Sequence, residues 1–78
     1  MILDLQRVKA ERVARGITSE FMSNKLGYKS RSSYSKRENG DIPLEVNTLL
    51  EIAEILGYPF INFFTPIVPE SERTQNTG

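Results

Sequence analysis

The stretch from Leu44 to Leu56, set between Pro43 and Gly57, carries apolar side chains at Val46, Leu49, Leu50, Ile52, Ala53, Ile55 and Leu56. On a helix, these positions leave only Glu45, Glu51 and Glu54 as a wet edge, so the segment is apolar nearly all round and has to be covered from several sides. The chain has 78 residues, and a chain of this size buries only roughly 60% of its unfolded surface. It can build one core, and that helix is its centre. Cysteine and histidine are both absent, which removes disulfides, thiolate metal sites, the commonest general base and the commonest zinc ligand. No metal or cofactor is expected, and a large catalytic cleft does not fit in so short a chain. No apolar run approaches the roughly 20 residues of a membrane span, and the opening MILDLQRVKAER becomes charged too early for a signal peptide. A soluble cytoplasmic protein is expected.

The formal net charge is zero, but its distribution is uneven. Up to Gly40, nine cations (Arg7, Lys9, Arg12, Arg15, Lys25, Lys29, Arg31, Lys36, Arg37) face four carboxylates, a net of +5; beyond it, Arg73 alone faces six, a net of −5. Such asymmetry suits one face for a polyanion and another kept away from it. The densest basic run is GYKSRSSYSKRENG, from Gly27 to Gly40, in which short hydroxyls alternate with long cations. That mixture suits close approach to phosphates and base edges.

Helical spacing and breakers predict a first helix over Ile2 to Arg15, with Leu5, Val8 and Arg12 on one stripe and Val13 beside it, ended by Gly16. Ile17 precedes an N-cap at Thr18, and a second helix follows over Ser19 to Leu26 with Phe21, Met22 and Leu26 inward and Gly27 as its stop. Ser30 is the expected cap of a third helix, Arg31 to Glu38, closed by Asn39 and Gly40. After the central helix from Leu44 to Leu56, Pro59 opens a short fifth helix, PFINFF. Residues 1–65 are read as one domain and residues 66–78 as a disordered tail.

Two short helices joined by a glycine-containing turn, with cations concentrated on the second, outline a helix-turn-helix. From Leu3 to about Phe64, and most specifically in RGIT, LGY, SKRENG and LLEIAEILGY, the chain resembles the Cro and phage-repressor type of helix-turn-helix domain. The resemblance implies an all-α, compact five-helix lambda-repressor-like fold. It implies duplex DNA as partner and a homodimer, at least on DNA.

The same resemblance assigns Ser19 to a phosphate contact and Ser30, Arg31, Ser32 and Ser33 to the first turn of the recognition helix. Lys36, five positions after Arg31, is expected on the same face, with Lys29 positioning the helix on the backbone. Arg37 stands where the family has an aliphatic residue, so it either passes along the core or adds a phosphate contact. Arg12 and Glu38 match a structural ion pair between the first and third helices, and Tyr34 matches an aliphatic core position. Phe60, Ile61, Phe63 and Phe64 are expected to supply a dimer or partner contact. Three departures stand out: the turn after Leu26 is one residue longer than in the commonest members, Ser23 replaces an alanine, and the loop after Gly40 reads DIPLE where cations are common.

Two other functions compete. Ser33 to Lys36 matches S-x-x-K, in which a lysine activates a serine, but a recognition helix produces the same spacing by accident. An interaction module that binds another regulator protein, as an anti-repressor or antitoxin does, fits the zero net charge and the acidic second half.

Overall fold

Asp4, rather than Ile2, starts the first helix: in a computed structural model of the chain, which describes residues 1–66, α1 spans Leu5–Ala14. The Asp4 carboxylate accepts the Arg7 N–H at 3.2 Å, and the Asp4 N–H donates to the Phe63 carbonyl at 2.7 Å. Asp4 therefore caps the helix and ties it to the other end of the domain. Before it, β1 (Ile2–Leu3) pairs antiparallel with β2 (Phe64–Thr65), Ile2 opposite Thr65 and Leu3 opposite Phe64. The helix expected from Ile2 is shortened because those first backbone groups find strand partners. Val13, expected near the apolar stripe, is exposed, while Val8 and Arg12 are buried.

The helix-turn-helix pair has the expected bounds: α2 spans Ser19–Leu26 and α3 spans Arg31–Glu38. Thr18 Oγ1 accepts the Phe21 N–H at 3.0 Å, which satisfies one of the free donors of the first turn. At the other end, Gly27 adopts φ 82°, a left-handed conformation costly for any side chain, and this lets the Tyr28 N–H reach back to the Ser23 carbonyl at 2.9 Å. Met22 is buried and Leu26 half-buried, but Phe21 is 45% exposed, so its expected inward placement is corrected.

The central helix, α4 (Val46–Leu56), begins two residues later than expected, because Glu45 is extended and Leu44 packs on the core from the loop. Leu49, Ile52, Ala53 and Leu56 form its buried stripe. Val46 (62% exposed) and Leu50 (45%) lie outside it. The expected fifth helix is a single 3₁₀ turn, Phe60–Phe63, entered from Pro59. Phe64 leaves it extended in order to pair with Leu3, which stops the winding. Among the described residues, the architecture is thus four α-helices, one 3₁₀ turn and a two-stranded ribbon that joins Ile2–Leu3 to Phe64–Thr65.

Tyr34, Phe63, Met22, Leu49, Ile52 and Val8 are the fully buried apolar side chains, one or more from every helix and from the 3₁₀ turn. Two-turn helices such as α2 and α3 are unstable alone, so this shared core is what holds them. The tail expected from residue 66 lies, from residue 67 onward, outside the described residues. No helix among those described is long and apolar enough to cross a membrane.

Candidate nucleic-acid interface

A helix turns about 100° per residue, and this sorts the side chains of α3 into four directions. Tyr34 and Glu38 point inward and are buried. Ser32 and Lys36, one turn apart, are exposed on the outer face. Arg31 and Ser35 lie on one flank, where they share a cleft of about 390 Å³ with Arg12, Thr18, Ser19 and Glu20. Ser33 and Arg37 lie on the other flank, beside Tyr28 of the turn. The expectation that Arg31 and Lys36 share a face is corrected: five residues leave them about 140° apart, and Lys36 pairs with Ser32 instead.

The cleft joins the N-terminus of α2 to α3. Free N–H groups and the positive end of the helix dipole lie at Ser19 and Glu20, a setting that favours an anion. Glu20 also brings a carboxylate to the rim. At the start of α3, Ser30 occupies the cap position, but its hydroxyl does not cap the helix; it meets Ser32 Oγ at 3.0 Å and Ser33 Oγ at 3.3 Å. Three hydroxyls therefore cluster beside Lys29 and Arg31.

Behind this surface, a buried network sets the angle of α3. Arg12 Nε and Nη2 donate to the two carboxylate oxygens of Glu38 at 2.9 and 3.0 Å, and Nη1 donates to the Ile17 carbonyl at 2.7 Å. Tyr34 adds its hydroxyl, donating to Glu38 Oε2 at 2.5 Å. One guanidinium thereby connects α1, the α1–α2 turn and α3. The bond to Glu38 raises the Arg12 pKa further above its ordinary value, against the opposing effect of burial. Burial first, then the bond to Glu38 and its charge, push the Tyr34 hydroxyl well above the usual tyrosine range.

Ser23, also buried, donates its hydroxyl to the Ser30 carbonyl. Its own carbonyl takes the Tyr28 N–H, so this one residue organises both ends of the α2–α3 turn. On the far flank, the Arg37 guanidinium lies 4.4 Å over the Tyr28 ring, and its Nη1 donates to the Ser33 carbonyl at 2.6 Å.

Apart from Lys9, which stands unpaired on α1, the cations of the described residues divide into two groups. Arg7 and Arg15 pair with Glu11, and Arg12 pairs with Glu38. Among the described residues, Lys25, Lys29, Arg31, Lys36 and Arg37, all on α2, α3 or the turn between them, have no carboxylate within ion-pair distance. A family model described as helix-turn-helix matches residues 8–62.

The chain belongs to the helix-turn-helix family, in its Cro and phage-repressor form. This is a family of DNA-binding transcription regulators, and the match spans α2, α3 and α4 while leaving both strands outside. No curated protein and no solved structure matches the chain.

Within the helix-turn-helix domain, the expected partner patch does not hold together. Phe63 is fully buried against Tyr58, with ring centroids 4.9 Å apart, so it belongs to the core. Phe60 and Phe64 are half-buried and meet edge-on at 5.2 Å. Ile61, 56% exposed, is the member that faces outward. Ser23, Tyr28 and Ser35 were not legible as site residues, because their roles depend on which groups the turn brings together and no fixed sequence spacing encodes that.

Proposed function

We propose that this chain is a small Cro-like transcriptional repressor that binds a short, pseudo-palindromic DNA site as a dimer and occludes a promoter. The observation that carries the reading is the division of the cations: Arg7, Arg12 and Arg15, on α1 and at its end, pair with carboxylates of the chain and leave only Lys9 there, while the five on the helix-turn-helix are unpaired among the described residues and can face a polyanion. Ser32 and Lys36 on the outer face and Arg31 on the flank act as base readers in the major groove. Ser19, Lys29, Ser30 and Ser33 position the helix on the backbone. Two protomers joined near Ile61 place their α3 helices in successive major grooves about 34 Å apart. Acting on DNA without any cofactor, the protein works in the cytoplasm of a prokaryotic cell.

The test is titration of a fluorescent duplex taken from beside its own gene, against a scrambled duplex, across a salt series. Tighter binding to the first duplex and a steep loss of affinity with salt are expected.

A second reading, a module that binds another regulator, draws on one specific feature. Ile17, Phe21 and Ile55 line an apolar groove of about 650 Å³ between α2 and α4, away from the reading face of α3. That reading predicts no DNA binding even at low salt, together with a tight complex with a neighbouring regulator.

A further inference from the structure

Two of the chain's departures from its family meet in one contact. The α2–α3 turn is one residue longer than in the commonest members, and it presents Tyr28; α3 carries an arginine at position 37 where an aliphatic residue is usual. In the structure, the Arg37 guanidinium sits 4.4 Å over the Tyr28 ring, with Nη1 anchored on the Ser33 carbonyl at 2.6 Å. Arg37 is half-buried, and no carboxylate among the described residues lies within ion-pair distance of it.

The position of the pair on α3 gives it a use. A helix in the major groove lies between two sugar-phosphate backbones. The α2 N-terminus and Ser19 occupy the flank of Arg31 and Ser35, and so face one strand. Arg37 and Ser33 project from the opposite flank. The loop after α3, which often supplies cations in this family, here offers exposed Asp41 and Glu45 and no cation at all. Some other group must hold the second strand, or the helix is clamped on one side only.

We propose that Arg37, held against Tyr28, is a phosphate-binding residue for the DNA strand opposite the one that faces the α2 N-terminus, and so takes over the part of the acidic loop. The proposal rests on the DNA-binding reading above. Stacking covers the face of the guanidinium and the Ser33 carbonyl takes Nη1, which leaves the Nε–Nη2 edge to donate to a phosphodiester in two parallel hydrogen bonds. Ring and carbonyl fix a side chain that is otherwise long and mobile, so little freedom remains to be lost on binding. A lysine supplies the charge but not the flat stacked edge.

The experiment compares the parent chain with Arg37→Met, Arg37→Lys and Tyr28→Leu. Each is titrated by fluorescence anisotropy against the promoter-proximal duplex and the scrambled duplex over a salt series, with circular dichroism to monitor the fold. Arg37→Met is expected to lower the salt slope by about one unit on both duplexes and to leave their affinity ratio unchanged. Arg37→Lys and Tyr28→Leu keep the slope and weaken both duplexes about two- to fivefold, the usual worth of an exposed cation–π contact. If the parent binds and Arg37→Met keeps its slope, the clamp is overturned and the DNA-binding reading stands. A loss confined to the promoter-proximal duplex also overturns it, since Arg37 then reads a base. A parent that binds neither duplex at low salt overturns both. Should Arg37→Met fail to fold, Arg37→Lys and Tyr28→Leu still decide: parent-like affinity in both removes the stack from the mechanism.

Discussion

Arg12 and Glu38 close a two-point hydrogen-bonded ion pair, 2.9 and 3.0 Å long, between the first helix and the last turn of the recognition helix. Both side chains are buried, and the remaining bonds of the pair go to Ile17 and Tyr34. A buried pair of this kind repays its desolvation only when its other bonding positions are also filled. Here they are filled by groups on the turn and on α3 itself. The pair therefore acts as a geometric reference for α3, the second helix of the helix-turn-helix.

Removing one partner strands the other charge. Glu38→Gln or Arg12→Met should cost about 3–5 kcal/mol, a large fraction of the stability of so short a domain. Urea unfolding will measure it. The triple variant Arg12→Met, Tyr34→Phe, Glu38→Leu leaves no unpaired buried charge and should recover most of that loss. It should still bind DNA less well than the parent, because the angle of α3 is no longer fixed. Parent-like affinity in the refolded triple variant would show that the network stabilises without orienting.

The Tyr34 hydroxyl gives a test in pH. Its folded pKa is raised, so its contribution is fully present below the unfolded tyrosine value of about 10 and declines above it, where the unfolded chain loses a proton that the folded one keeps. Above that pH, the parent should lose up to about 1.4 kcal/mol per pH unit more than Tyr34→Phe does. Melting curves from pH 8 to pH 11 would supply the comparison, and parallel curves for the two proteins would count against the assignment.

The bounds of α2 and α3 were legible because each break has a local cause: a cap at Thr18, a left-handed glycine at Gly27, a polar stop at Asn39. The ends of the domain were not. Ile2–Leu3 and Phe64–Thr65 are strands only because each finds the other across the whole sequence, and helical periodicity has no access to such a pairing. The same limit hid Phe63, which reads as part of an exposed aromatic run until the 3₁₀ turn rolls it inward. Charge and hydroxyl content singled out the segment that the structure folds into α3 and the turn before it. The sharing of faces within it follows from the helical turn, and the stack of Arg37 on Tyr28 follows from a turn conformation that no spacing rule encodes.

Arg31 and Lys29 separate reading from positioning. Arg31→Ala should cost about 1–3 kcal/mol on the true site and relax preference at one base pair, as the loss of a two-point contact to guanine does. Lys29→Ala should weaken all sequences alike and lower the salt slope by about one unit. Selection of binding sites from a random duplex pool with each variant distinguishes them. If Arg31→Ala selects the parent's site with undiminished stringency, the reading falls instead to Ser32 and Lys36 on the outer face.

Ile61 and Phe63, two residues apart, should respond in opposite ways. Phe63 is fully buried and contacts Tyr58, so Phe63→Ala removes core packing and should cost about 3–5 kcal/mol. Ile61 is mostly exposed, and Ile61→Asp should change the stability of the monomer by no more than about 0.5 kcal/mol. If Ile61 lies in the dimer contact, that same substitution places two carboxylates against each other across a two-fold axis and should separate the protomers. Sedimentation equilibrium then shows a monomer, and DNA titration loses its cooperative binding to paired half-sites while each half-site is still bound. A dimer that survives Ile61→Asp would move the contact to the uncovered flank of α4, where Val46 and Leu50 are the exposed apolar pair one turn apart, and Leu50→Asp would then be the variant that breaks it.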